Sequence, residues 1–177
     1  IREIDQRATR QGLALEIVPA FEQIISSRTS VAQIRPVSIE DLLPREPVEL
    51  NSERIDAFIK NRCVLVTGGG GSIGSEICRQ VTALDASTLV IVEQSEPSLY
   101  EIEFELAQKP SNTEIHPEIA DIRDQDRMDR ILARYRPDIV FHAAAYKHVP
   151  IMERQPGEAI KNNTLGTLEF GRLASVH

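Results

Sequence analysis

An α/β fold built on a doubly wound parallel sheet is predicted by three observations. A glycine-rich turn, Gly68 to Gly74, lies between a short apolar run and a helical pattern. A β-branched run, Leu89 to Glu93, is apolar without alternation, as a strand buried on both faces should be. Strand and helix patterns then alternate four times, with strands about 25 residues apart. Right-handed crossovers would arrange these strands in the order 3-2-1-4, the first half of a Rossmann-type domain, here with an N-terminal appendage.

Taken in order, Ile1 to Gly12 reads as a helix end, with Ile1, Ile4 and Ala8 on one face and a glycine stop. Leu13 to Val18 is a short strand candidate closed by Pro19, and Phe21 to Ser30 is ambiguous. Pro36, Pro44 and Pro47 crowd the stretch from Arg35 to Pro47, which should block regular structure and make a semi-rigid linker. The expected organisation is thus 1–34 as the tail of a preceding Rossmann-like domain, 35–51 as a Pro-rich linker, and 52–177 as a dinucleotide-binding domain. Ser52 is placed to cap a helix over Glu53 to Lys60.

The first strand is Cys63 to Thr67, and the helix after the glycines should pack through Ile73, Ile77, Val81 and Leu84. After Leu89–Glu93 comes a helix from Pro97 to Lys109, through Leu99, Ile102 and Leu106. Glu114 to Ala120 is a third strand, weakened by Pro117. Asp124 to Tyr135 is an amphipathic helix through Met128, Ile131, Leu132 and Tyr135. Asp138 to Ala143 is the fourth strand, and a last helix runs from Pro156 to the end, with Ile160 and Leu168 among its apolar residues.

Composition narrows the function classes. Hydrophobic residues make up 41% and charged residues 27%, as in soluble globular domains. A formal net charge of −7 without a basic stripe argues against a nucleic-acid partner. Cys63 and Cys78 sit in a strand and a helix, where they read as small core residues of a reducing compartment. No apolar run reaches about 18 residues, the length of a membrane span. The chain begins at Ile1 and stops at His177 within a helical pattern, so it is expected to be a segment of a longer protein.

In such a sheet, ligands bind beyond the carboxyl ends of the strands. Gly68, Gly71 and Gly74 give T-G-x-x-G-x-x-G: a tight turn, a close backbone approach to a pyrophosphate, and a helix–strand contact. The free N–H groups of the following helix, at Ser72 and Ile73, face an anion. Glu93 ends the second strand and would accept from both adenosine-ribose hydroxyls while repelling a 2′-phosphate. Gln94 beside it opens a stretch to Pro97 with no Arg or Lys, which favours NAD over NADP. Asp121 is suited either to an adenine amino group, with Ile122 covering the ring, or simply to starting a turn. Ala143, Ala144 and Ala145 let a flat cofactor lie near backbone, or serve tight packing. Lys147 is a ribose or phosphate contact or a solvated lysine, and Asn163 a holder of backbone or part of a polar face. Tyr146 and His148 read as structural. Tyr100, Tyr135 and Tyr146 are followed four residues later by Phe104, Ile139 and Pro150, so no Tyr-x-x-x-Lys proton-handling pair is present. No metal-ligand spacing stands out.

Four segments carry a resemblance beyond the fold. Thr-Gly-Gly-Gly-Gly-Ser-Ile-Gly-Ser-Glu (67–76), Glu-Gln-Ser-Glu-Pro-Ser-Leu-Tyr-Glu-Ile-Glu (93–103), Ala-Ala-Tyr-Lys-His-Val-Pro-Ile-Met-Glu (144–153) and Pro-Gly-Glu-Ala-Ile-Lys-Asn-Asn-Thr-Leu-Gly-Thr (156–167) resemble the nucleotide-sugar 4,6-dehydratases of bacterial polysaccharide biosynthesis. These are extended short-chain dehydrogenase/reductases, typified by UDP-N-acetylglucosamine 4,6-dehydratase. The segment 35–48 is similar to the linker of their large, membrane-anchored branch.

The resemblance implies an NAD-dependent parent enzyme at the cytoplasmic face of the inner membrane, serving capsule or lipopolysaccharide synthesis. It implies oxidation of a UDP-sugar at C4, loss of water across C5–C6, and return of hydride to C6. It assigns Gly68, Gly71, Ser72, Ile73 and Gly74 to pyrophosphate, Glu93 to ribose, Asp121 and Ile122 to adenine, and Ala143 to Ala145 with Lys147 to the other ribose. Asn163 takes the place of the family's structural Asn. The acid/base motif and most of the sugar pocket would follow this span, leaving the segment itself soluble and inactive, and the parent is a candidate homo-oligomer. A C4 epimerase would share every residue named, and a non-catalytic nucleotide-sensing module would reuse the fold.

Overall fold

The computed structural model describes residues 52–177 and two short strands, Glu16–Ile17 (β1) and Arg35–Pro36 (β2). The chain divides into two compact units, Ile1–Leu50 and Asn51–His177. In the first, β1 and β2 pair antiparallel, with Glu16 opposite Pro36 and Ile17 opposite Arg35. Regular structure thus enters at Arg35–Pro36, where prolines were expected to exclude it. A two-stranded ribbon has only edges, and an edge tolerates a residue that cannot donate. The expected helix end at 1–12, the ambiguous 21–30 stretch and the rest of the linker lie outside the described residues, as does the Ser52 side chain that was to cap the next helix.

The second unit opens with α1 (Ser52–Ile59), which buries Ile59 and is followed by Asn61 at φ +60. The sheet holds β3 (Cys63–Thr67), β4 (Thr88–Glu93), β5 (Glu114–Ile119) and β6 (Ile139–His142), all parallel, in the order β5-β4-β3-β6. This is the predicted 3-2-1-4 order. β3 and β4 occupy the centre and are buried on both faces. Val64, Val66, Leu89 and Ile91 join Cys78, Val81, Leu99, Ile102 and Leu106 in one cluster, while Leu65, Val90 and Val92 join Met128, Ile131, Leu132 and Phe170 in the other. Alternating side chains of one strand therefore feed two cores. Pro117 is accommodated because β5 is an edge strand.

The crossover helices are α2 (Ser72–Ala83), α3 (Glu96–Ala107) and α4 (Gln125–Tyr135). Ser95 caps α3, with its side chain accepting from the Ser98 N–H and Pro97 in the first turn. Asp124 caps α4 by accepting from the Arg127 N–H at 3.0 Å, and Arg136 ends the helix in the left-handed region at φ +42. The packing face of α2 follows the expected stripe at Ile77, Val81 and Leu84 and departs from it at Ile73. Ile73 is 68% exposed and Ile77 and Leu84 only half-buried, while Gly74, Cys78, Val81 and Thr82 face the sheet. A helix held so close by a glycine turns its smallest residues inward and leaves its bulkier neighbour outside. Both cysteines are free, and burial pushes the Cys78 thiol up to about 12.

Beyond β6 the chain is helical without a break from Pro156 to Val176, as expected, but its winding changes along the way and one further helical turn precedes it. It forms α5 (Val149–Met152), α6 (Pro156–Ala159), a π-helical stretch (Ile160–Gly166) and α7 (Thr167–Val176). Ile160 and Leu168 are exposed at 55% and 46%, and Phe170 is the buried anchor.

Glu118 is a buried carboxylate on β5, 8% exposed, clamped to α4. Arg127 Nη2 and the Tyr135 hydroxyl donate to it, the latter at 2.7 Å, and Arg134 lies 3.6 Å away. Removing it leaves Tyr135 without its acceptor and three cationic and polar groups without a centre. Glu118→Ala is expected to cost about 2–3 kcal/mol in urea denaturation, the range for breaking a buried charge-assisted pair; a cost below about 0.5 kcal/mol would contradict this clamp.

Candidate functional site

The β3–α2 turn is the floor of the site. Gly68 adopts φ +67, and its N–H bonds the Val92 carbonyl at 2.8 Å, tying the turn to the end of β4. A Cβ on Gly68 would come within 2.7 Å of the Ala144 amide, and one on Gly74 within 2.0 Å of the Gly68 carbonyl. Only glycine allows these backbones to meet. Gly71 caps α2 without any side-chain bond, and the first turn carries no acidic residue. Its exposed N–H groups are therefore free to receive an anion.

A cleft opens above this floor. It is lined by Gly68, Gly71, Val92, Glu93, Gln94, Ala120, Asp121, Ile122, Ala143, Ala144, Ala145, Tyr146 and Asn162, so it draws on the ends of all four parallel strands. Of the residues singled out from sequence, Gly68, Gly71, Glu93, Gln94, Asp121, Ile122 and the three alanines meet here. Gly74 lies beneath the turn, and Ser72 and Ile73 stand at the exposed helix start. Lys147 lines a neighbouring cavity with Tyr146, His148, Ile151, Met152, Gln155 and Glu158. Its Nζ lies 3.4 Å from the Ser72 hydroxyl, which brings a positive charge back to the start of α2.

Each acidic residue already has partners. Glu93 accepts from the N–H groups of Gly70 (3.1 Å), Gln94 (2.9 Å) and Ser95 (3.1 Å), so it staples the glycine turn to the start of α3. A carboxylate has about four acceptor sites, which leaves about one for a ligand hydroxyl where the sequence suggested two bonds. Asp121 both starts a turn and lines the cleft. It accepts from the Arg123 backbone N–H at 2.9 Å and from the Arg123 side chain at 3.0 Å. These hydrogen bonds from Arg123 hold its carboxyl below the usual carboxylate range.

Asn163 does not line the cleft; it grips the backbone that does. Its Oδ1 accepts from the Tyr146 N–H at 2.9 Å and its Nδ2 donates to the Tyr146 carbonyl at 2.8 Å. The residue that reaches the cleft from this segment is Asn162, 4% exposed, whose Nδ2 donates to Asn163 Oδ1 at 2.9 Å. Sequence reasoning passed over Asn162 because α-helical spacing turns only one of two neighbouring residues to a given face. The wider π turn brings both into use, and π turns favour functional sites. His142 was also passed over. Its ring joins Thr67 Oγ1 (2.7 Å) to Thr167 Oγ1 (2.9 Å) and lies against Phe170, tying β3, β6 and α7 together below the cleft. Partial burial pulls its pKa down, in keeping with a neutral ring that donates at one nitrogen and accepts at the other.

With this geometry in view, the comparisons are specific. The family model described as polysaccharide biosynthesis protein matches residues 64–177, and the chain belongs to that family. The probable polysaccharide biosynthesis protein EpsC of Bacillus subtilis (strain 168) is 42% identical over 97% of this chain and 29% of its own length. A dTDP-glucose 4,6-dehydratase of Neisseria meningitidis serogroup B is 37% identical over 66% of this chain and 32% of its own. Among solved structures, UDP-glucose-4-epimerase from Stenotrophomonas maltophila, with bound NAD and formylated UDP-arabinopyranose, superposes with a TM-score of 0.56. It is 28% identical and covers 64% of this chain and 33% of that one. The chain thus spans about a third of the relatives it matches, and its relatives include sugar-nucleotide dehydratases and epimerases.

Asn163→Ala should release the Tyr146 backbone. Hydrogen exchange at the Tyr146 amide is expected to speed at least about tenfold, with about 1–2 kcal/mol of stability lost for the two bonds. Unchanged exchange at Tyr146 would show that the grip is not what orders this loop.

Proposed function

We propose that the chain is the NAD-binding part of a nucleotide-sugar 4,6-dehydratase, acting on UDP-N-acetylglucosamine or a similar UDP-sugar in surface-polysaccharide synthesis. The observation that carries this reading is the cleft in which Glu93 closes over the glycine turn, opposite the small Ala143–Ala145 run. The residues present fit a dinucleotide. The backbone approach at Gly68 and Gly74 leaves a side-chain-free cradle, and the uncapped start of α2 offers N–H donors to a pyrophosphate.

In this reading Gly68, Gly71, Ser72, Ile73 and Gly74 hold the pyrophosphate, and Lys147 adds a positive charge beside Ser72. Glu93 and Gln94 face the adenosine ribose, and Asp121 and Ile122 face adenine. Ala143 to Ala145 admit the second ribose, with Asn162 at the cleft wall and Asn163 fixing the loop through Tyr146. The chemistry that the nicotinamide supplies there is reversible hydride transfer at a sugar carbon. What these residues contribute is binding, orientation and a wall against water. No Tyr is followed by Lys four positions on, so proton handling at the sugar is assigned to residues outside this chain. We further propose that 1–34 and 35–51 are the tail of a preceding domain and a linker, and that the whole protein is membrane-anchored and a homo-oligomer. A C4 epimerase is the second reading, favoured by the likeness to the NAD-bound epimerase.

Calorimetry tests the cofactor assignment. NAD is expected to bind at least about tenfold more tightly than NADP, because the Glu93 charge opposes a 2′-phosphate. Glu93→Ala should narrow that gap to within about threefold; tighter binding of NADP by the wild type would overturn the role of Glu93. Incubating the chain with UDP-N-acetylglucosamine and NAD should yield no 4-keto sugar, and turnover would sink the assignment of proton handling to residues elsewhere.

A further inference from the structure

The run Ala143–Ala145 has little to hold itself with. Its side chains are methyl groups, and among the described residues neither Ala144 nor Ala145 makes a hydrogen bond of its own. Each end of the run is instead bracketed by a residue that reaches one and the same helical segment. Tyr146 is gripped through its backbone by Asn163, at 2.9 and 2.8 Å. His142, at the other end, meets the Thr167 hydroxyl through Nε2 at 2.9 Å. His142 and Tyr146 are four residues apart, and so are Asn163 and Thr167, about one turn from each other where the π stretch passes into α7. Three small residues are therefore suspended between two rungs.

His142 is also fixed from below. It lies opposite Thr67 in the β3–β6 register, and its Nδ1 is 2.7 Å from the Thr67 hydroxyl. Thr67 is wholly buried, and His142 is the one partner of its Oγ1 among the described residues. A buried hydroxyl gives its proton to an acceptor at hand, which assigns the tautomer: Nδ1 accepts from Thr67, and the Nε2–H donates to the exposed Thr167. The ring rests on Phe170, with 5.3 Å between centroids, and Phe170 is the buried anchor of α7.

We propose that His142 and Thr167 are a positioning pair for the second half of the dinucleotide: their hydrogen bond holds the Ala143–Ala145 run where the distal ribose and nicotinamide can lie against it. This rests on the reading of the cleft as a dinucleotide site. In that reading the adenosine half lies elsewhere, on Glu93, Gln94, Asp121 and Ile122. Cutting the rung should therefore affect one half of the ligand and spare the other.

Calorimetry on the 177-residue chain compares NAD with ADP, which carries the adenosine and both phosphates but neither the second ribose nor the nicotinamide. Wild type is expected to bind NAD at least about tenfold more tightly than ADP. Thr167→Val removes the acceptor at an exposed position and keeps the side-chain shape, and circular dichroism shows that the variant is folded. It should weaken NAD at least about fivefold, the effect of about one hydrogen bond, and leave ADP within about twofold. Thr167→Ser retains the hydroxyl and should bind NAD within about twofold of wild type. His142→Phe keeps a ring on Phe170 without either hydrogen bond; it too should weaken NAD and spare ADP, and adding Thr167→Val should weaken NAD no further. If Thr167→Val leaves NAD unchanged, weakens NAD and ADP alike, or is matched by Thr167→Ser, the pair does not position the run and the inference is overturned. Wild-type binding of NAD no tighter than ADP overturns it as well, while leaving a nucleotide site in place. Binding of neither removes the dinucleotide reading and the inference with it.

Discussion

The tightest approach of backbone to backbone at a glycine among the described residues is at Gly74, and the cleft is arranged around it. Gly74 lies so close to the Gly68 carbonyl that any Cβ there would stand 2.0 Å from it, and a Cβ on Gly68 would stand 2.7 Å from the Ala144 amide. Three elements are thereby locked to one point: the end of β3, the start of α2 and the loop after β6. The contact has an energetic cost, since glycine gives up more conformational freedom on folding than any other residue. What it secures is a helix start with free N–H groups at the edge of the sheet, uncovered by side chains. The two cores on either side supply stability that offsets this entropic cost. Val64 and Val66 on one face of β3, and Leu65 on the other, are wholly buried.

Elements with strong periodicity were legible, and the reason is burial. β3 and β4 are apolar throughout because both faces are covered, and α4 shows its stripe because one side faces water. The strand order followed from crossover handedness together with the doubly wound pattern that the glycine-rich first turn announces. Failures occur where local spacing competes with a tertiary constraint. Ile73 fits the apolar stripe of α2, yet the close approach at Gly74 leaves it outside, while Ile77, Val81 and Leu84 of the same stripe pack on the core beside Cys78. The last helical region was read with a uniform repeat, and its π stretch breaks that repeat between Ile160 and Gly166. α5 spans only Val149–Met152, and four residues carry too little pattern to announce a helix.

The same limit applies to the candidate site. Residues that act from the end of a strand could be found by position: Glu93, Asp121 and Ala143 to Ala145 all line the cleft. Residues that act through another residue could not. Nothing in the sequence couples Asn163 to the Tyr146 backbone, His142 to Thr67 and Thr167, or Arg123 to Asp121 and Glu158 in one bridge. Such partners are chosen by the fold from distant parts of the chain. Sequence positions therefore reveal what a site touches sooner than what holds it rigid.

Charge within the cleft is divided along its length. Acceptors gather where β4 and β5 end, at Glu93 and Asp121, while N–H donors and Lys147 gather at the start of α2. The chain as a whole carries −7, so the donor end is a local exception that backbone geometry creates and one lysine reinforces. A ligand with hydroxyl and amino groups at one end and phosphates in its middle matches this division in only one register. Shifted toward the acceptor end, its phosphates would press against two carboxylates, a like-charge contact that costs several kcal/mol. Glu93 strengthens the division by binding the Gly70 N–H itself, so the acceptor end and the glycine turn move as one piece. The polarity of the cleft is thus built into the backbone turn rather than left to side chains free to rearrange.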